Sequence, residues 1–146
     1  MTTVFDVPGS LLVSRLKDEL KKNEQIKPPT WSKFVKTSSA KKKPPETDDF
    51  WYWRAASLLR QLYIRGKPIG VQRLRTKYGS KNDKGSRPGK FRESGGSILR
   101  KMFQQLEIAG LVKKSMEAGK KGRLLTPKGK SLLDKEAAKI SRELKK

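Results

Sequence analysis

Apolar residues recur along this chain at helical spacing, in blocks separated by intervals rich in proline, glycine and lysine. In the first block Leu12, Leu16 and Leu20 stand four apart with Val13 alongside, which predicts a helix from about Ser10 to Asn23. Pro8-Gly9-Ser10 supplies the turn before it, with Ser10 as the N-cap. Pro28-Pro29-Thr30 ends that region and opens a short helix from Trp31 to Val35, whose Trp31, Phe34 and Val35 are expected to pack. Residues 37–47 have nothing to bury and read as an exposed loop.

The strongest helix runs from Phe50 to about Arg65 and is closed by Gly66. Its apolar content is Phe50, Trp51, Trp53, Ala56, Leu59, Leu62 and Tyr63, while Arg54, Arg60 and Arg65 form its polar side. Trp51 is read as core and Trp53 as the tryptophan with a claim to the surface, beside Arg54. Asp48 and Asp49 sit where a helix dipole favours negative charge, so they read as capping residues and not as a catalytic pair. A short helix follows from Val71 to Tyr78, with Val71, Leu74 and Tyr78 inward. Residues 79–93 form a long loop, too rich in Gly, Ser, Lys and Arg to fold alone. Ile98, Met102 and Leu106 then mark a helix from Ser97 to Ala109, with Gly110 at its C′ position. Leu111 to Lys114 reads as a strand, 117–122 as a turn and Arg123 to Leu125 as the return strand. Thr126 followed by Pro127 starts the last helix, which carries Leu132, Leu133, Ala137, Ile140 and Leu144.

These elements predict a mainly α fold in one domain. Residues 1–36 form an N-terminal helical arm, 37–49 an exposed linker loop, 50–135 a winged-helix-like core with a small β-hairpin wing and a basic loop at 77–93, and 127–146 a C-terminal helix and basic tail. A generic small α-rich domain with a hairpin would show a similar order.

Charge decides what such a fold is for. Lys and Arg number 36 against 14 Asp and Glu, a net charge of +22 in 146 residues. Self-repulsion of this size opposes compaction and calls for a polyanionic partner. The excess is uneven: +3 over residues 1–49, +10 over 50–93 and +9 over 94–146. No run approaches the roughly 20 apolar residues of a membrane span, and neither a signal-peptide pattern nor a lipidation motif is present. The expectation is a cytoplasmic protein without a membrane partner. Cysteine and histidine are both absent, which removes disulfides, thiolate chemistry, Ser-His and Cys-His nucleophiles and the commonest nitrogen ligand for metals. No catalytic residue, cofactor, metal or small-molecule substrate is expected.

The basic loop is the sharpest clue to the partner. Lys77, Lys81, Lys84, Arg87, Lys90 and Arg92 fall within 16 residues, broken only by Asp83 and flanked by Tyr78 and Phe91. Such a segment neutralises phosphates, and an aromatic at its edge offers a face to an unstacked base. Gln104 and Gln105 would read adenine edges if their helix entered a DNA major groove, but the plainer reading is of surface residues.

Several motifs resemble one known family. Phe50-Trp51-Tyr52-Trp53-Arg54-Ala55-Ala56-Ser57, Leu62-Tyr63-x-Arg65-Gly66, Lys77-Tyr78-Gly79, Leu106-Glu107-x-Ala109-Gly110-Leu111-Val112 and Leu125-Thr126-Pro127-x-Gly129 occur in the order seen in the nineteen-e family of small-subunit ribosomal proteins. Val7-Pro8 and Pro28-Pro29-x-Trp31 fit as well, so the likeness covers nearly the whole chain. The resemblance implies a monomeric winged-helix-like protein in the head of the small ribosomal subunit. There it would bind ribosomal RNA, meet neighbouring ribosomal proteins and support assembly and rRNA maturation. It assigns RNA contacts to Arg54, Arg60 and Arg65, and to Lys77, Lys81, Arg87 and Arg92, with Arg100, Lys101 and Arg123 as further contacts; Lys84 and Lys90 join these RNA-binding candidates on the charge of the loop. Histidines that some relatives carry in the basic loop are absent. A winged-helix DNA-binding regulator is the rival reading, and a small nuclease built on Asp48 and Asp49 a distant third.

Overall fold

The computed structural model describes residues 1–145. A 3-10 turn at Val4–Asp6 leads into α1 (Gly9–Lys21), and a second 3-10 turn, Thr30–Lys33, precedes the central helix α2 (Phe50–Arg65). Then come α3 (Val71–Lys77), a hairpin of β1 (Ser80–Asn82) and β2 (Lys90–Arg92), α4 (Gly96–Ile108), the wing strands β3 (Val112–Lys114) and β4 (Arg123–Leu125), and α5 (Pro127–Leu144).

The leucine stripe dictates how α1 sits. Leu12, Leu16 and Leu20 are fully buried along α2, and each such burial contributes roughly 1.5–3 kcal/mol. The two helices run antiparallel: Lys21 at the end of α1 reaches Asp49 just ahead of α2, while Gly9 at its start lies against Arg60. On α2 the buried set is Trp51, Ala55, Ala56, Leu58, Leu59 and Leu62. A side that includes two alanines lets neighbouring helices approach closely. Ile98, Leu99, Met102, Phe103 and Leu106 of α4 and Leu133, Ala137 and Ile140 of α5 complete one core.

The winged-helix order is present in its bonding as well as its sequence. β3 and β4 pair antiparallel with Val112 opposite Leu125 and Lys114 opposite Arg123. Ile69, between α2 and α3, adds a one-residue bridge to Arg123, with N–H···O distances of 3.1 and 2.9 Å in the two directions. That bridge is the minimal first strand of a winged helix, and it fastens the wing to the α2–α3 connection. The wing is followed by a well-made cap: the Thr126 hydroxyl accepts from the Gly129 N–H at 3.1 Å, and Pro127 occupies the first helical position. Gly110, with φ +75°, terminates α4 as expected.

Six expectations are corrected. Residues 79–93 contain a β-hairpin with Lys81 opposite Phe91, not an unstructured loop. The segment after Pro29 is a 3-10 turn, and Phe34 is 81% exposed; Val35 packs against the core and Trp31 meets Trp51 edge-on at 6.0 Å. Ser10 lies inside α1, whose N-cap position is Pro8. Asp49 occupies the N-cap position of α2 but makes no capping hydrogen bond, because its carboxylate is taken by Lys21. Ser38, in the expected exposed loop, is buried against the base of the new hairpin. Leu144, the last residue of α5, is exposed.

Candidate nucleic-acid interface

Three-residue strands are too short to hold a hairpin together in water, so the β1–β2 hairpin depends on its base. Arg75 of α3 donates through Nε to the Ser94 carbonyl at 2.9 Å, and the Ser94 N–H returns a bond of 2.9 Å to the Arg75 carbonyl. From the other side, the Ser38 hydroxyl donates to the Glu93 carbonyl at 3.0 Å and the Gly95 N–H to the Thr37 carbonyl at 2.7 Å. Both serines are almost fully buried. Glu93 is held in turn by Gln72 and Arg75.

On this anchored base the hairpin carries its cations outward. Lys81, Lys84, Arg87, Lys90 and Arg92 are all exposed, and none is ion-paired among the described residues. Lys84, Arg87, Lys90 and Arg92, with Asn82 and Pro88, line one concavity in the hairpin. Four unpartnered cations around a hollow can, by charge and spacing, hold an anion with several oxygens, such as a phosphodiester. Phe91 lies across Gly79, where any side chain would collide with the ring, and keeps 54% of its surface exposed. It is the aromatic free to stack on a base. Tyr78 is not: its hydroxyl bonds Ser57 at 2.7 Å, and its ring is covered by the Arg54 guanidinium at 4.0 Å.

The remaining candidates divide by accessibility. Arg65, Lys77, Arg100 and Lys101 are exposed and unpaired among the described residues. Arg54 is half-buried between the Tyr78 and Phe50 rings, and burial pushes its guanidinium pKa down while the Tyr78 hydroxyl acts in the opposite sense. Burial likewise pushes the Tyr78 hydroxyl up, against the hydrogen bond to Ser57 and the charges of Arg54 and Arg60. Arg60 lies under Gly9, with its Nε buried and without a protein partner. Arg123 is committed inside the fold: its Nε donates to Glu107 at 2.8 Å and its guanidinium lies over Phe103 at 5.4 Å.

Two residues play parts the sequence pattern did not reveal. Arg75 is the hairpin's anchor, a role set by Ser94 nineteen residues on. Lys17 of α1 lies 4.9 Å over the Trp53 ring, so Trp53 is half-covered from α1. Gln105 is also no surface residue. It accepts from the Trp51 indole at 2.8 Å and donates to the Lys27 carbonyl at 2.6 Å, tying α4 to α2 and to the N-terminal arm.

A family model described as ribosomal protein S19e matches residues 3–143 of this chain. The chain is 48% identical over 147 residues to the small ribosomal subunit protein eS19 of Aeropyrum pernix, covering 100% of this chain and 94% of that protein. It is 44% identical to the protein of the same name from Thermoplasma volcanium, over 99% of this chain and 93% of the relative. Similarity extends to the eS19G protein of Ascaris suum, at 37% over 95% of this chain and 92% of the relative.

Proposed function

This chain belongs to the ribosomal protein S19e family, and from that premise we propose that it is a structural constituent of the small ribosomal subunit that binds ribosomal RNA in the subunit head. The observation that carries the RNA-binding part is the hairpin of residues 80–92: an anchored projection whose cations surround a hollow and lack carboxylate partners among the described residues. Arg65 and Lys77, with Arg100 and Lys101 on α4, extend the exposed basic surface beyond it. The half-buried Arg54 and Arg60 shape that surface and present only part of their guanidinium groups.

Binding works by neutralising phosphates in a fixed arrangement, with Phe91 as a stacking platform. No base-reading set is required. By ordering RNA around the protein, the same contacts support small-subunit assembly and rRNA maturation. The protein acts as a monomer among the other proteins of the subunit head, in the cytoplasm, without cofactor or catalytic step.

The DNA-binding regulator gains no support. Of the two glutamines that would read adenine edges, Gln104 is exposed but Gln105 is spent on Trp51 and Lys27, and the residues just before α4 are bonded to the 37–38 segment. For the nuclease reading, Asp49 is already neutralised by Lys21. The test is sedimentation of a cell lysate through a sucrose gradient at moderate magnesium, with immunodetection of this chain. Co-migration with small subunits that survives a moderate salt wash is expected. Confinement to light fractions or to chromatin would overturn the proposal.

A further inference from the structure

Away from the hairpin, a second basic hollow opens between the α2–α3 connection and the tip of the wing. Lys67 and Arg73 stand on one wall, Lys120 and Lys121 on the other. All four are exposed. The walls are held together by main-chain bonds, since Ile69 and Arg123 exchange N–H···O contacts at the base of the wing. Gly122 makes the approach possible: a Cβ there would stand 2.8 Å from the Ile69 backbone nitrogen. The wing tip is therefore presented opposite Lys67 and Arg73 at a fixed separation.

The lining also indicates what fits. Gly66 and Gly119, both at positive φ, leave open space where side chains would stand, so a ligand can approach main chain on both walls. Apolar lining is limited to Pro68 and Leu124, and no aromatic contributes. An acidic peptide seeks apolar anchors beside its charges, whereas a sugar–phosphate backbone needs only spaced cations and unobstructed approach. One carboxylate intrudes. Glu117 pairs with Lys120 at 2.8 Å in full solvent, and each partner favours the charged form of the other.

Position links this hollow to the interface already described. Arg73 and Lys77 are four residues apart on α3 and so share a face; Lys77 leads directly into the hairpin. A seven-residue helix is about 10 Å long, so a single strand can reach both sites.

We propose that the cleft between residues 66–73 and 117–124 is a second phosphate-binding site, occupied by the backbone of the same RNA that the hairpin engages. It rests on the RNA-binding reading above. In the free protein Glu117 holds Lys120; in the complex a phosphate displaces it.

The test is filter binding of the full chain to in vitro transcribed small-subunit ribosomal RNA across a salt series, with hydroxyl-radical footprinting of the complex. Lys67→Glu with Lys121→Glu is expected to weaken binding about tenfold at 150 mM salt. It should lower the log–log salt slope by about 1.5, as loss of two phosphate contacts predicts. One footprint should vanish while that lost in a Lys81→Glu, Arg87→Glu hairpin variant is retained. Glu117→Gln should act oppositely and tighten binding about twofold to fivefold, the scale of a freed surface pair. A Lys67→Gln, Lys121→Gln variant makes the same measurement if the charge reversals impair folding. Unchanged affinity, slope and footprint in the cleft variants overturns this site and leaves the hairpin reading intact. Failure of the unsubstituted chain to bind the transcript overturns both.

Discussion

Which cations are free and which are committed is decided one side chain at a time. Arg54 and Arg87 both belong to basic motifs, yet one is sandwiched between Tyr78 and Phe50 and the other reaches only solvent. Arg54→Ala should therefore cost about 1–2 kcal/mol in urea denaturation, through lost cation–π contact and packing of the aliphatic stem. Arg87→Ala should stay within about 0.5 kcal/mol while weakening RNA binding. Sequence identified both as candidates by charge; it could not separate them, because the aromatic cover of Arg54 comes partly from Tyr78, twenty-four residues away. The same limit applies to Arg123, whose partner Glu107 lies across the α4–β3 corner. Gly122 is the opposite case, a residue whose lack of a side chain carries the meaning. Its φ of +149° and the 2.8 Å approach to Ile69 predict that Gly122→Ala costs about 2–4 kcal/mol. The change should also speed hydrogen exchange at the Ile69 and Arg123 amides.

At the scale of elements, periodicity and caps were legible wherever local chemistry decided the outcome. α2 starts and ends where its pattern and Gly66 place it, β4 is found at Arg123–Leu125, and α5 opens on the Thr126–Pro127 signal. The 80–92 hairpin was not legible. Its residues have little strand propensity, and the bonds that stabilise it come from Arg75 and from the 37–38 segment, more than fifty residues upstream of the Glu93 and Ser94 they hold. Replacing Ser38 and Ser94 together with alanine should loosen this element selectively. Limited proteolysis is expected to cut first within residues 80–92, and RNA affinity to fall although every cation is retained. Loss of global stability by more than about 3 kcal/mol, the scale of unsatisfied buried acceptors, would mean that the hairpin base belongs to the main folding unit.

For the whole molecule, a net charge of +22 was readable from composition, as was the kind of partner it demands. The arrangement of that charge into separate hollows was not, since it depends on how the wing and the α2–α3 connection meet. RNA affinity should fall by about 10³–10⁵ between 50 and 200 mM salt if six to ten phosphates are engaged. It should change little between pH 6 and 8, because the chain lacks histidine, the side chain that ordinarily changes charge there. Isothermal titration at two salt concentrations and two pH values checks both statements. The placement of α5 has a further consequence, in time. It packs against α1, α2 and the Val4–Asp6 turn, and Glu143 near its end pairs with Arg15. The first helix thus waits for a neighbour encoded more than a hundred residues later. At roughly 5–20 residues per second, translation leaves that side of the nascent protein open for several seconds to tens of seconds. During that interval the α5-facing side of α1 and α2 stays uncovered on an incomplete polycation, so a chaperone that masks it co-translationally would act there.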